Sequence, residues 1–272
     1  MSRTAFEPES SVVAEVMPSP NHGERIDNRR PDMIVLHYTG MTSATAALDR
    51  LCSRGTEVSA HYFVFEDGRI VQMVQEGRRA WHAGTAFWAG ETDINSCSIG
   101  IEIANQGHDH GYPHFPKRQI AAVTALCRSI QTHHTIPPER VLAHSDIAPM
   151  RKQDPGEKFP WRTLHGSGVG HWVAPAPITE GPVLALGDRS DAVTALQKSL
   201  KDYGYGIQEN GNYDSTMHEV ITAFQRHFRP ERIDGICDTS TRATLQSLLM
   251  ARGRPRSIAA RTITFEPLVV AS

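Results

Sequence analysis

The sequence predicts an α/β chain in two parts: a mixed central β-sheet flanked by helices, followed by a small three-helix unit. Three observations carry this. From Met33 to Asp146, short β-rich runs alternate with stretches of helical spacing. Residues 173–182, "VAPAPITEGP", hold three prolines and no periodicity. Beyond them, apolar residues recur only at helical intervals.

Taken in order, "MIVLHYTG" opens with the apolar run Met33 to Leu36 and ends in polar residues, as a buried strand does. "TSATAALDRLCS" follows with a Thr/Ser start and helical spacing of Ala46, Ala47 and Leu51. "HYFVFEDGRIVQMVQ" reads as a hairpin turning at Glu66-Asp67-Gly68-Arg69. "SIGIEIAN" is a further strand, whose alternation puts Ile99, Ile101 and Ile103 on one face and Gly100, Glu102 and Ala104 on the other. From Pro116 to His134 the spacing of Ile120, Val123, Cys127 and Ile130 predicts an amphipathic helix with proline near its start. "RVLAHSD" returns to strand, with His144 at its end.

After the semi-rigid linker come three helices, marked by Val193, Leu196 and Leu200, by Val220, Ile221, Phe224 and Phe228, and by Leu245, Leu248 and Leu249. A short repeat precedes the last two, "NGNYDST" and "DGICDTS". In each, Gly permits a tight turn and Asp-Ser or Asp-Thr caps the next helix. A bundle of ~70 residues with so few large apolar groups is marginal alone, so it is expected to dock on a partner or ligand. The division is therefore an arm (1–30), a first domain (31–172), a linker (173–182), a helical domain (183–252) and a tail (253–272), whose last apolar residues are expected to pack back on the body.

The formal charge is −2, with Lys and Arg scattered, which gives no electrostatic case for nucleic acid or an anionic membrane surface. No stretch has the length of an apolar membrane span. The start "MSRTAFEPES" has no apolar h-region, so a cytoplasmic location is expected, with the periplasm or cell envelope as the alternative, and the arm is expected to lie loosely over the first domain. The four cysteines lack a CxxC pair and fit neither a disulfide framework nor a thiolate zinc site.

A zinc hydrolase needs three protein ligands from rigid elements and an open fourth position. His37 at the end of the first strand, His144 at the end of the last, and Asp154 in a loop braced by Pro149, Pro155 and Gly156 would meet if those strands are neighbours. With fourteen histidines in the chain, each one alone is more simply a surface or core residue. Glu102 on a central strand is either an acid/base or half of a salt bridge with an arginine.

At these residues a family resemblance appears. "VLHYTG", "SAHYFVFEDGRIVQMV", "RAWHAG", "SIGIEIAN" and "AHSDIAP" followed by "RK", "DPG" and "FPW" resemble, in order, the zinc-dependent N-acetylmuramoyl-L-alanine amidases of the type-2 family, related to peptidoglycan recognition proteins. The resemblance runs from about Pro31 to Trp161. It implies that fold, a zinc cofactor held by His37, His144 and Asp154, Glu102 as catalytic acid/base and Lys152 as electrophilic helper. The implied substrate is peptidoglycan or a muropeptide, including the 1,6-anhydro form. Trp81 and His82 in "RAWHAG" are expected to line the cleft, and Asn105 to hydrogen-bond the substrate backbone. Some relatives carry a catalytic tyrosine before the histidine that is His61 here; this chain has Ala60, which leans towards Glu102 as proton carrier. Gly181 to Ala251 is similar to the small peptidoglycan-binding domain of wall hydrolases, although Met217 and His218 depart from its usual small residues. Two other readings stay open at this point: a wall-binding protein without turnover, and a zinc peptidase cutting within the stem peptide.

Overall fold

The structure, a computed structural model, describes residues 6–252. The tail 253–272, with its expected packing onto the body, lies outside the described residues. The elements run β1 (Glu15–Val16), β2 (His22–Glu24), β3 (Met33–Tyr38), α1 (Ala44–Cys52), β4 (Tyr62–Val64), β5 (Ile70–Gln72), β6 (Arg78–Ala80), α2 (Ile94–Cys97), β7 (Ser98–Ile103), α3 (Lys117–His133), β8 (Val141–Ala143), α4 (His144–Ile147), α5 (Trp161–Gly166), α6 (Asp191–Tyr203), α7 (Ser215–Phe228) and α8 (Thr239–Ala251).

Six strands form one sheet in the order β1-β5-β4-β7-β3-β8. The strands β4, β7, β3 and β8 are parallel neighbours, β5 turns back against β4, and β1 runs parallel to β5 at the edge. The near-continuous apolar run of β3 is explained by this central position, covered on both faces. On one face Ile34, Leu36, Ile99, Ile101 and Ile103 pack against the buried Ile120, Val123, Cys127 and Ile130 of α3. All four cysteines are buried.

The arm is not loosely held. Its β1 extends the sheet, β2 pairs with β6, and the buried Arg25 donates to the carbonyl oxygens of Glu76, Asn95 and Ser98. Polar groups on a sheet edge need partners, and these residues supply them.

The strand expected through His144 stops at Ala143. The Asp146 carboxylate accepts the Ala143 N–H at 2.8 Å, which starts the one-turn helix α4.

The helical bundle repeats itself closely. Gln197 of α6 clips one turn: its Oε1 accepts the Asn210 and Gly211 N–H groups and its Nε2 donates to Asn210 Oδ1 and the Asn212 carbonyl. Gln225 of α7 makes the same set with Asp234, Gly235 and the Ile236 carbonyl. The central glycines have φ of 73° and 65°, which excludes side chains with a Cβ except at a cost in strain. Ser190, Asp214 and Asp238 then cap α6, α7 and α8 through their side chains.

The bundle docks on the rest of the chain. Tyr203, Tyr205, Phe224 and Phe228 share one apolar core with Trp88, Leu142 and Ile147. The proline-rich stretch carries no helix or strand and is laid along α8, with Ser240 Oγ donating to the Ala176 carbonyl and the Ala176 N–H donating to Thr244 Oγ1.

Candidate metal centre

Because β7, β3 and β8 are adjacent and parallel, their C-terminal ends open onto one edge, the usual place for a site in such a sheet. His37 and Glu102 are register partners across β3 and β7, so both side chains leave the same face. His144 follows β8 directly. The loop after α4 folds back as the Ser145 N–H donates to the Asp154 carbonyl at 3.0 Å, and Tyr112 Oη pins the Pro155 carbonyl at 2.8 Å. The Asp154–Pro155 peptide is cis.

These elements bring three ligand atoms together. His37 Nδ1 lies 2.8 Å from His144 Nδ1, and Asp154 Oδ2 is 3.3 Å and 3.1 Å from the two nitrogens. All three residues are buried. The partners of the remaining ring nitrogens fix the tautomers. Ser98 Oγ donates to the Ile94 carbonyl and so accepts from His82 Nε2–H; His82 Nδ1 accepts from His37 Nε2–H, and His144 Nε2–H donates to the Ala83 carbonyl. Both Nδ1 atoms are thereby unprotonated and face a carboxylate oxygen. Burial, together with the neighbouring His144, holds His37 down at about 4. Three converging lone-pair donors need a cation. Two imidazoles and a carboxylate beside an open cleft fit zinc with a free coordination position.

The cleft is about 410 Å³ and is lined by His37, Trp81, Glu102, His144, Lys152 and Asp154 among others. Glu102 Oε2 is buried with no hydrogen-bond partner among the described residues. Burial pushes its carboxyl up to about 8; Asp154 adds to the rise and Lys152 opposes it. No arginine forms a salt bridge with it among the described residues.

The other residues singled out in the sequence fall differently. Trp81 lies half-buried in the cleft wall. His82 also borders the cleft, but both its ring nitrogens are engaged with His37 and Ser98 rather than free for substrate. Asn105 does not line the cleft; its amide donates to the Pro113 carbonyl and accepts the Gly107 N–H, which holds the loop after β7 together. His61 accepts the Gly100 N–H and contacts the Arg78 carbonyl in the core, a structural position. The sequence reading missed Asp146, which accepts from Tyr205 Oη and His227 Nδ1, each at 2.7 Å, and so ties α4 to the bundle. It also missed the Ala83 carbonyl, since a backbone acceptor leaves no side-chain signal.

This fold, with its three residues that could hold a metal ion, is that of an amidohydrolase, and comparison with known proteins gives the family. Residues 27–157 match the family profile described as N-acetylmuramoyl-L-alanine amidase, and residues 189–245 match a peptidoglycan binding domain. The N-acetylmuramoyl-L-alanine amidase AmiD of Escherichia coli K12 is 35% identical over 259 residues, spanning 85% of this chain and 90% of that protein. The structure of AmiD in complex with anhydro-N-acetylmuramic acid-L-Ala-D-gamma-Glu-L-Lys gives a TM-score of 0.71 at 34% identity, covering 84% of this chain and 91% of that one. AMPDH3 of Pseudomonas aeruginosa, solved with anhydromuramic pentapeptide, gives 0.68 at 31%, covering 82% and 92%. The chain belongs to the N-acetylmuramoyl-L-alanine amidase family and hydrolyses the amide between N-acetylmuramic acid and L-alanine. No helix of the described residues is long and apolar enough to cross a membrane.

Proposed function

We propose that the amide is cut by a zinc-dependent mechanism in which His37, His144 and Asp154 hold the ion, Glu102 moves the proton and Lys152 steadies the oxyanion. The observation that carries this reading is the meeting of three unprotonated ligand atoms within 3.3 Å of one another, beside a buried carboxyl in register with His37. Zinc at this point would supply a Lewis acid and lower the pKa of a water.

The chain's own residues do the rest. Glu102, buried beside the three ligand atoms with one oxygen unpartnered, removes the proton of the attacking water and delivers it to the leaving amine of L-alanine. Lys152 places its ammonium in the cleft wall, where it offsets the negative charge that develops on the scissile oxygen. Trp81 offers an aromatic plane for the sugar. Ala60 leaves no phenol before His61, so Glu102 carries both proton transfers.

The substrate class is a muropeptide, in the anhydro form or within the polymer, and residues 183–252 hold the enzyme on the wall while residues 31–172 cut it. Turnover of soluble anhydro-muropeptides in preference to sacculi would support cytoplasmic recycling; the reverse would support the cell envelope. Chelation is expected to abolish cleavage of a muropeptide and added zinc to restore it. Mass spectrometry is expected to find an intact peptide beginning with L-alanine. Undiminished turnover after complete metal removal would overturn the zinc mechanism, and products cut within the peptide would overturn the bond assignment.

A further inference from the structure

One loop touches the back of both imidazole ligands. His82 Nδ1 accepts the His37 Nε2–H at 3.0 Å, and the next residue's carbonyl, Ala83, accepts the His144 Nε2–H at 3.0 Å. Arg151, on the loop that carries Asp154, clamps this segment by donating to the carbonyls of Ala83 and Thr85 at 2.9 Å and 2.6 Å. His82 is itself oriented from two sides. Its Nε2–H is held by Ser98 Oγ at 3.1 Å, and its ring lies flat over Gly100, where a Cβ would approach it to 2.4 Å. Asn95 Oδ1 accepts the N–H groups of both His82 and Ala83, fixing the backbone beneath them.

We propose that His82 is a positioning residue for the metal: its Nδ1 lone pair holds His37 as the Nε2–H tautomer, so that the His37 Nδ1 lone pair is presented to the ion. Without an acceptor at this point, the His37 ring is free to carry its proton on Nδ1 and to rotate, and each metal-binding event must first undo that. Ligand histidines commonly depend on such an outer acceptor, and losing it costs ~10–100-fold in metal affinity. The roles of the two residues are unequal. The Ala83 carbonyl belongs to the backbone and survives side-chain substitution, whereas the His82 acceptor does not. The Ser98 hydroxyl extends the relay by one step, since it sets which His82 nitrogen is protonated.

This inference rests on the reading of His37, His144 and Asp154 as zinc ligands. The test measures zinc affinity of the full chain by competition with a chromogenic chelator, together with the visible spectrum of the cobalt-substituted protein. His82→Phe keeps a planar ring but offers no acceptor, and His82→Asn sets a carbonyl oxygen near the place of Nδ1. The His82→Phe chain is expected to bind zinc ~10–100-fold more weakly than wild type, with an altered cobalt spectrum, and His82→Asn is expected to recover most of the loss. Ser98→Ala, a smaller change, is expected to weaken binding in the same direction. Melting temperatures in chelator report on folding apart from metal, and a purely structural role predicts that affinity follows them. If wild type takes up one zinc but all three variants bind it equally tightly, or if weakened binding tracks lowered apo-protein melting alone with no rescue by His82→Asn, the positioning role is overturned while the zinc reading stands. If wild type binds no zinc, both are overturned.

Discussion

Glu102 is a cost to the fold and, in the proposed mechanism, a tool. An exposed glutamate ionises near 4.5, whereas burial lifts this one to about 8 in the metal-free protein. Between those values the folded chain holds a proton that the unfolded chain has lost, so stability from this group falls as pH rises through that window. In chelator, Glu102→Gln is therefore expected to match wild type in stability at pH 4 and to exceed it at pH 9 by an amount on the order of 5 kcal/mol. Coincident melting curves at pH 9 would refute a buried, perturbed carboxyl. The same variant, loaded with zinc, is expected to lose kcat by ~10²–10⁴-fold while its zinc content is unchanged. Lys152→Met is expected to lower kcat by ~10²–10³-fold with little change in metal content, read by steady-state assay on a defined muropeptide. A charge acting only through solubility would leave kcat intact.

At the scale of the elements, the turn α4 is the junction between chemistry and scaffold. It begins with the proposed ligand His144, and its third residue, Asp146, accepts from the Ala143 N–H, Tyr205 Oη and His227 Nδ1. Three donors on a carboxylate buried among rings are strong bonds, since ionised partners contribute about 1.5–3 kcal/mol each. Tyr205→Phe removes one donor without changing shape and is expected to lower Tm by about 5 °C, measured by calorimetry on the metal-free chain. An unchanged Tm would mean that this junction contributes nothing to stability. This junction was illegible in the sequence, because Asp146 stands 81 residues from His227 and 59 from Tyr205, and no local pattern links them. By contrast the strands and long helices could be read directly: Ile120, Val123, Cys127 and Ile130 keep helical spacing, and all four are buried. The repeat "NGNYDST" and "DGICDTS" announced the caps on α7 and α8, but not the glutamines that clip each turn, since a glutamine within a helix reads as surface. His37, His144 and Asp154 stood out through the blocks around them, whereas Asn105 was misplaced because a polar residue after a strand serves a loop as readily as a ligand.

For the whole molecule, the shared core decides how the two parts depend on one another. Trp88, Leu142 and Ile147 are covered by Tyr203, Tyr205, Phe224 and Phe228 of the bundle. A chain ending at residue 172 would expose that face, so it is expected to aggregate or to bind hydrophobic dyes strongly, as followed by light scattering and dye fluorescence. A monodisperse, dye-silent fragment would show that the face is dispensable.

The continuous packing from α7 to the strand that leads into His144 leaves no pivot between the bundle and the edge that carries the candidate site. A tethered anchor would let the blade sweep a sphere of neighbouring bonds. Here the two keep a constant separation, as the jaws of a caliper do once locked. If the bundle seats itself on a strand of wall as proposed, the bond that can be severed lies at one set offset, and reaching the next requires the whole enzyme to let go and re-seat.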